Sequence, residues 1–226
     1  MKPEMSVADR QKEATRLRIE EYGPSRHGEV CRLLAASFRG KFGRVNAEND
    51  ERTARLLAAA WPYRRESNKL QLAACRSEEP DSGPVGTILL KWRLAGSRLR
   101  AEHAGDEEPS LLALMIRFGP LPALRLIVGM AALHYTPAAG ECYVEHLAVR
   151  SDCRGQGIGR KLMLHSERYA GQAGFRICAL HVSKNNAAAV ALYQSLGFVK
   201  VREERRFASG RLFNEYDWLL MRKEIP

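Results

Sequence analysis

Gly155, Gly157 and Gly159 follow Arg154 in the stretch RGQGIG (154–159), set between a strand-like run, ECYVEHLAVRS (141–151), and a helix-like run, RKLMLHSERYAGQAG (160–174). Glycine has no Cβ, so the backbone can come close to a ligand, and the start of a helix offers unpaired N–H groups with a partial positive charge. A phosphate or pyrophosphate is what such a loop suits, and Arg154 adds a full charge. A glycine-rich turn with no ligand is the other reading of the loop alone. The spacing is neither the GxxxxGK[ST] of a P-loop nor the GxGxxG of a dinucleotide fold.

The elements that must position this loop can be read along the chain. RLRIEEY (16–22) suits a first strand, HGEVCRLLAASFRGKF (27–42) has apolar residues at helical spacing, and ENDERTARLLAAAW (48–61) reads as a second helix closed by Pro62. KLQLAACR (69–76) and VGTILLKWRL (85–94) read as a hairpin of two strands, joined by the turn-forming EEPDSGP. After a polar stretch, SLLALMIRFGPLPALRLIVGMAALHY (110–135) is strongly apolar, but Gly119, Pro120, Pro122, Arg117 and Arg125 interrupt it. A membrane span needs roughly 20 uninterrupted residues, so two short helices, 110–118 and 122–134, are expected, with a membrane-surface element as the lesser reading. The remainder alternates strand (142–149), loop, helix (157–173), strand (175–183) and helix (186–196) before two closing strands, FVKVREERRF and NEYDWLLMRKE. That order implies a three-layer α/β arrangement.

With 226 residues the chain fits one domain, or one domain with a sizeable insertion, and can bury a full core. Its composition, 45% hydrophobic and 27% charged, is that of an ordinary soluble globular protein. The net charge of +10 asks for an anionic partner, and composition cannot choose among nucleic acid, a membrane surface and a polyanionic ligand. Cys31, Cys75, Cys142, Cys153 and Cys178 lack CxxC spacing, so neither a disulfide framework nor a metal site is expected, and a reducing compartment fits. The charged N-terminus has no apolar signal-like stretch, so a cytoplasmic location is expected.

The loop in its context, LAVRSDCRGQGIGRKL, resembles the signature of the GCN5-related N-acetyltransferase family, and Asn186, Ala189, Leu192, Tyr193, Gly197 and Phe198 are similar to that family's second block, NxxAxxLYxxxGF. The resemblance is strong over 140–223; the N-terminal half matches only in the coarse order of its elements. It implies a three-layer α/β/α acyl-CoA N-acyltransferase fold with a central mixed, largely antiparallel sheet and a helical insertion before strand 4. The whole chain, 1–226, would be a single N-acetyltransferase domain: a flexible arm (1–14), a helical insertion (95–140) and an acetyl-CoA-binding core (141–223).

The resemblance also implies site residues. The strand ending Leu147, Ala148, Val149 would carry a β-bulge and bind the acetyl carbonyl and pantetheine through its backbone. Arg154, Gly155, Gln156, Gly157, Ile158 and Gly159 would hold the pyrophosphate of acetyl-CoA, and Asn186 would contact the pantetheine. An alkylammonium with a pKa near 10.4 has no lone pair for attack, so a proton must be taken up. Glu145 matches the position of the proposed base in polyamine acetyltransferases of this family; a structural carboxylate paired with an arginine is the other reading. His146 would face away from Glu145 on a regular strand and serve packing or hydrogen bonding. Tyr193 matches the family's usual general acid, with plain aromatic packing as its alternative, and Cys153 is expected to be incidental.

The implied activity is transfer of acetyl from acetyl-CoA directly to a primary amine, first of a small molecule, with a protein N-terminus or lysine second. The insertion is expected to wall the acceptor, or else to cover a sheet edge or a dimer contact. The acidic cluster Asp106, Glu107, Glu108 reads as a solvated loop. A non-catalytic acyl-CoA sensor is the competing class, which the joint presence of Glu145 and Tyr193 disfavours. Nucleic-acid binding is not expected, because the basic residues are dispersed and no recognition motif is present. A monomer and a homodimer both fit.

Overall fold

The computed structural model describes residues 17–37, 50–78, 82–93, 110–207 and 215–225. The expected N-terminal arm, the polar half of the insertion and the acidic cluster lie outside these residues.

Among the described residues seven strands form one sheet: β1 (Leu17–Glu21), β2 (Lys69–Arg76), β3 (Gly86–Trp92), β4 (Glu141–Val149), β5 (Ile177–Ser183), β6 (Val199–Arg205) and β7 (Asp217–Glu224), in the spatial order β1-β2-β3-β4-β5-β7-β6. Every neighbouring pair is antiparallel except β4 and β5. The sheet is therefore mixed and largely antiparallel, as expected. The closing strands do not follow chain order, because β7 inserts between β5 and β6.

Helices cover both faces. On one lie α1 (Pro24–Ser37), α2 (Asp50–Ala60), α3 (Leu111–Phe118) and α4 (Pro120–Ala132); on the other lie α5 (Ile158–Gln172) and α6 (Ala187–Ser195). Alternation along the strands divides the core accordingly. Ile88 and Leu90 of β3 pack with Ile158, Leu162 and Met163 of α5, whereas Ala73 and Cys75 of β2 pack with Val30, Leu34, Leu56 and Leu57. A Cβ on Gly86 would stand 2.9 Å from Leu162 Cδ1, so glycine is what lets α5 sit this close to β3.

The apolar stretch after residue 110 forms two short helices, with Pro120 in the first turn of α4, where its missing N–H costs nothing. They do more than edge the fold: Leu114, Phe118, Ala123 and Leu126 are buried in the same core layer as α1 and α2. Their outer faces are also apolar, with Leu112 66% and Ile116 79% exposed. Among the described residues no helix is long and apolar enough to cross a membrane.

Candidate active site

The site begins with two departures from a regular sheet. β4 and β5 pair only from Glu141↔Ile177 to Val144↔Leu180, although β4 continues to Val149 and β5 to Ser183. Beyond Leu180 the parallel strands separate. At the same point β4 is bulged against β3: Leu90 pairs with Val144 and Leu89 with His146, leaving Glu145 without an opposite residue.

The bulge shifts the alternation by one. Cys142 and Val144 face the α5 side, yet so do Leu147 and Val149. Glu145 and His146 therefore both project toward α2: Glu145 meets Lys91, and His146 meets Trp61. The expectation that His146 turns away from Glu145 is corrected here, because it assumed a regular strand and a bulge places two consecutive residues on one side.

A cavity of about 810 Å³ opens where the strands part and reaches both faces of the sheet. On the α5 side it is lined by Leu147, Val149, Arg154, Gly155, Gly157, Ile158, Gly159, Asn186 and Tyr193. On the α2 side Glu145 and His146 join it, beside Trp61. Two expected residues do not line it. Ala148 is buried in the α1–α2 core, and Gln156 is exposed, its amide donating to the Asp152 carbonyl at 3.2 Å.

The glycine loop has the form its composition suggested. Gly155 and Gly157 both adopt φ of 75°, and Gly157 caps α5 in the left-handed region with no side-chain cap. The first bond within the helix is Lys161 N to Gly157 O, so the N–H groups of Ile158, Gly159 and Arg160 have no partner within the helix. These residues line the cavity, and among the described residues a Cβ at Gly155 or Gly157 would meet nothing within 4 Å. Open space over aligned N–H groups is a cradle for an anion. Arg154 donates from Nε to the Val149 carbonyl at 3.3 Å, fixing the loop to the end of β4, and Asn186 caps α6 by accepting from Ala189 N at 3.2 Å.

The Glu145 side chain is 35% exposed, and Lys91 Nζ stands 2.6 Å from its Oε1. Burial pushes the carboxyl pKa up; the charge and hydrogen bond of Lys91 outweigh that and hold it below the ordinary value. Tyr193 is 7% exposed, and burial raises its phenol to about 12. Cys153 also lines the cavity, but its thiol is fully buried and accepts from Arg76 at 3.6 Å and Arg150 at 3.4 Å.

Sequence reasoning did not single out Lys91, Trp61 or His181 for the site. His181 Nε2 lies 3.0 Å from Arg206 Nη2 and Nδ1 lies 2.9 Å from the Tyr143 hydroxyl. Arginine only donates, so Nε2 accepts, and the neutral ring donates from Nδ1 to Tyr143. Burial, with Arg206 beside it, lowers the His181 pKa to about 4. Lys91 had a signal, a lysine on a mostly apolar strand, but its partner could be found only with the register known. Among the described residues no cluster of three or more His, Cys, Asp or Glu could hold a metal.

A mixed sheet parted between its parallel strands, with a helix-opening anion cradle at the gap, defines an acyl-CoA N-acyltransferase fold. The model of the Acetyltransferase (GNAT) family matches residues 99–198. The chain is 38% identical over 203 residues to the mycothiol acetyltransferase of Saccharomonospora viridis, covering 84% of this chain and 60% of that protein. To the mycothiol acetyltransferase of Paenarthrobacter aurescens it is 29% identical over 206 residues, covering 76% and 63%. It thus spans about three fifths of the length of these relatives. The PaiA N-acetyltransferase of Thermoplasma acidophilum, solved in complex with coenzyme A, shares the fold with a TM-score of 0.53 at 14% identity, covering 92% of this chain and 98% of that one. Residues 99–198 thus carry a GNAT-family acetyltransferase domain.

Proposed function

We propose that the chain is an acetyl-CoA-dependent N-acetyltransferase that moves acetyl directly from the thioester to a primary amine of a small molecule, as a single domain working in the cytoplasm. The observation that carries this reading is the cavity that passes through the sheet, with the anion cradle on one face and Glu145 on the other. The cradle and Arg154 suit a pyrophosphate, and the backbone edges left unpaired beyond Val144 and Leu180 suit an extended, amide-containing arm between them. All five cysteines are buried free thiols, in keeping with a reducing compartment.

In the transfer, the amine nitrogen attacks the thioester carbonyl carbon; the C–N bond forms, the C–S bond breaks, and the electron pair leaves on sulfur. Glu145 is too weak a base to strip an ordinary ammonium beforehand. Unperturbed alkylammonium and carboxyl pKa values differ by about six units, and Lys91 widens the gap. The amine therefore enters neutral, and Glu145 takes the proton once C–N bond formation has made the nitrogen acidic. Burial pushes the Tyr193 phenol up to about 12, so it is protonated at neutral pH and donates its hydrogen bond, then its proton, to the departing sulfur.

Calorimetric titration with acetyl-CoA, followed by thiol-release assays across an amine library, tests the reading. Saturable binding and amine-dependent thiol release are expected. Binding with no release for any amine would replace the transferase with an acyl-CoA sensor.

A further inference from the structure

The α2 side of the cavity identifies the kind of amine that fits. Its wall is formed by Leu34, Leu57, Trp61, Leu89, Met130 and Leu133. Trp61 is held in place from two directions. Its carbonyl accepts a 2.7 Å hydrogen bond from His27 Nε2, and its indole meets the His27 and His146 rings edge-on at 5.4 and 5.5 Å. Burial lowers the pKa of both histidines, His146 to about 4, so the wall is uncharged at neutral pH.

Charge supplies the second constraint. Among the described residues Glu145 is the one carboxylate lining the cavity, and Lys91 already balances it. The other fully charged lining groups, Lys69, Arg154, Arg160 and Arg206, are cations. A polyamine or aminoglycoside would bring several ammonium groups into a space with one compensated carboxylate, and each extra unpaired cation is costly to desolvate. A single amine can reach Glu145 while an uncharged body packs against Trp61 and the leucines, where burial of a phenyl-sized group is worth about ten- to a hundredfold in affinity.

We infer that the acceptor is a monoamine carrying an apolar body of aromatic size, seated against Trp61. The inference rests on the proposed acetyl transfer to an amine and names its substrate class.

Thiol release is to be measured at saturating acetyl-CoA with 2-phenylethylamine, tryptamine, ethylamine, spermidine and kanamycin. The wild-type chain, Trp61→Ala, Trp61→Phe and Met130→Ala are compared, with acetyl-CoA Kd and thermal unfolding measured for each. For the wild type, kcat/KM for the two aromatic amines should exceed that for ethylamine, spermidine and kanamycin at least tenfold. Trp61→Ala should raise the 2-phenylethylamine KM about tenfold with acetyl-CoA Kd unchanged, and Trp61→Phe should restore most of the loss. If Trp61→Ala fails to fold, Met130→Ala at the cavity rim should still raise that KM severalfold. Equal use of ethylamine and 2-phenylethylamine, or preference for spermidine or kanamycin, overturns the inference while leaving the transferase intact. Acetyl-CoA binding without turnover of any amine overturns the transferase reading, and this inference with it.

Discussion

Lys91 and Glu145 form an ion pair of 2.6 Å across the β3–β4 ladder, at the bulge where Glu145 has no opposite residue. The pair holds the Glu145 carboxyl below its ordinary pKa and so keeps it ionised. If Glu145 receives the proton of the acceptor nitrogen, it must be a carboxylate, so activity should fall as pH drops through its pKa. In Lys91→Met burial acts unopposed by that cation and the carboxyl pKa rises. The acidic limb of the kcat/KM profile should therefore move to higher pH. An acidic limb at the wild-type position would show that another group takes the proton.

Tyr193→Phe removes one hydroxyl from a ring whose packing, against Phe198 and the α5-side core, stays in place. Among the described residues that hydroxyl has no hydrogen-bond partner, so the fold should tolerate its loss. Loss of a positioned proton donor costs about a hundredfold or more. We expect kcat to fall by that order with acetyl-CoA Kd within twofold of the wild type; an unchanged kcat would leave Tyr193 as a packing residue.

Gly157→Ala probes the cradle. At φ of 75° an L side chain is strained, at a cost of about 1 kcal/mol. Among the described residues nothing lies within 4 Å of the added methyl. Thermal unfolding should shift by a few degrees, while acetyl-CoA Kd should weaken at least tenfold. A Kd unchanged by the methyl would place the pyrophosphate elsewhere.

Stability should decline in mild acid. Burial lowers the pKa of His146 and His181 to about 4, against about 6.5 in the unfolded chain. Above pH 6.5 both states hold these rings neutral and the contribution is complete. Between 6.5 and about 4 the unfolded chain binds protons that the folded chain refuses, and up to about 3 kcal/mol is lost for each ring. Glu204, held near 2 by Arg206 and Arg202 against the opposing effect of burial, acts in a lower window, from about 4.5 downward. Urea unfolding at pH 7.5, 6 and 5 should show the decline, and His146→Leu should make it shallower; a slope identical to the wild type would contradict a neutral buried His146.

The glycine loop and the two-block motif were legible because their chemistry is local: Gly155 and Gly157 needed a left-handed backbone, and both have it. Strand and helix positions were legible from periodicity, β2 to the residue. Three features were not. The resemblance implied a bulge on the strand ending Leu147, Ala148, Val149, but local composition does not fix its position, so the shared direction of Glu145 and His146 emerged only from the pairing of Leu89 and Leu90. The Lys91–Glu145 pair joins residues 54 apart in sequence. The role of α3 and α4 depended on which of their two apolar faces was buried, and periodicity cannot decide between faces when both are apolar.

Direct transfer requires donor and acceptor to occupy the through-sheet cavity together, and Cys153 lining that cavity is the one thiol there that could carry acetyl instead. Initial rates of thiol release, measured while both acetyl-CoA and 2-phenylethylamine are varied, test this most directly when combined with the intact mass of the protein after exposure to acetyl-CoA alone. The expected result is intersecting double-reciprocal lines, no thiol release without amine, and an unmodified protein mass. Parallel lines with a protein heavier by one acetyl group would contradict direct transfer and assign a covalent intermediate to the chain.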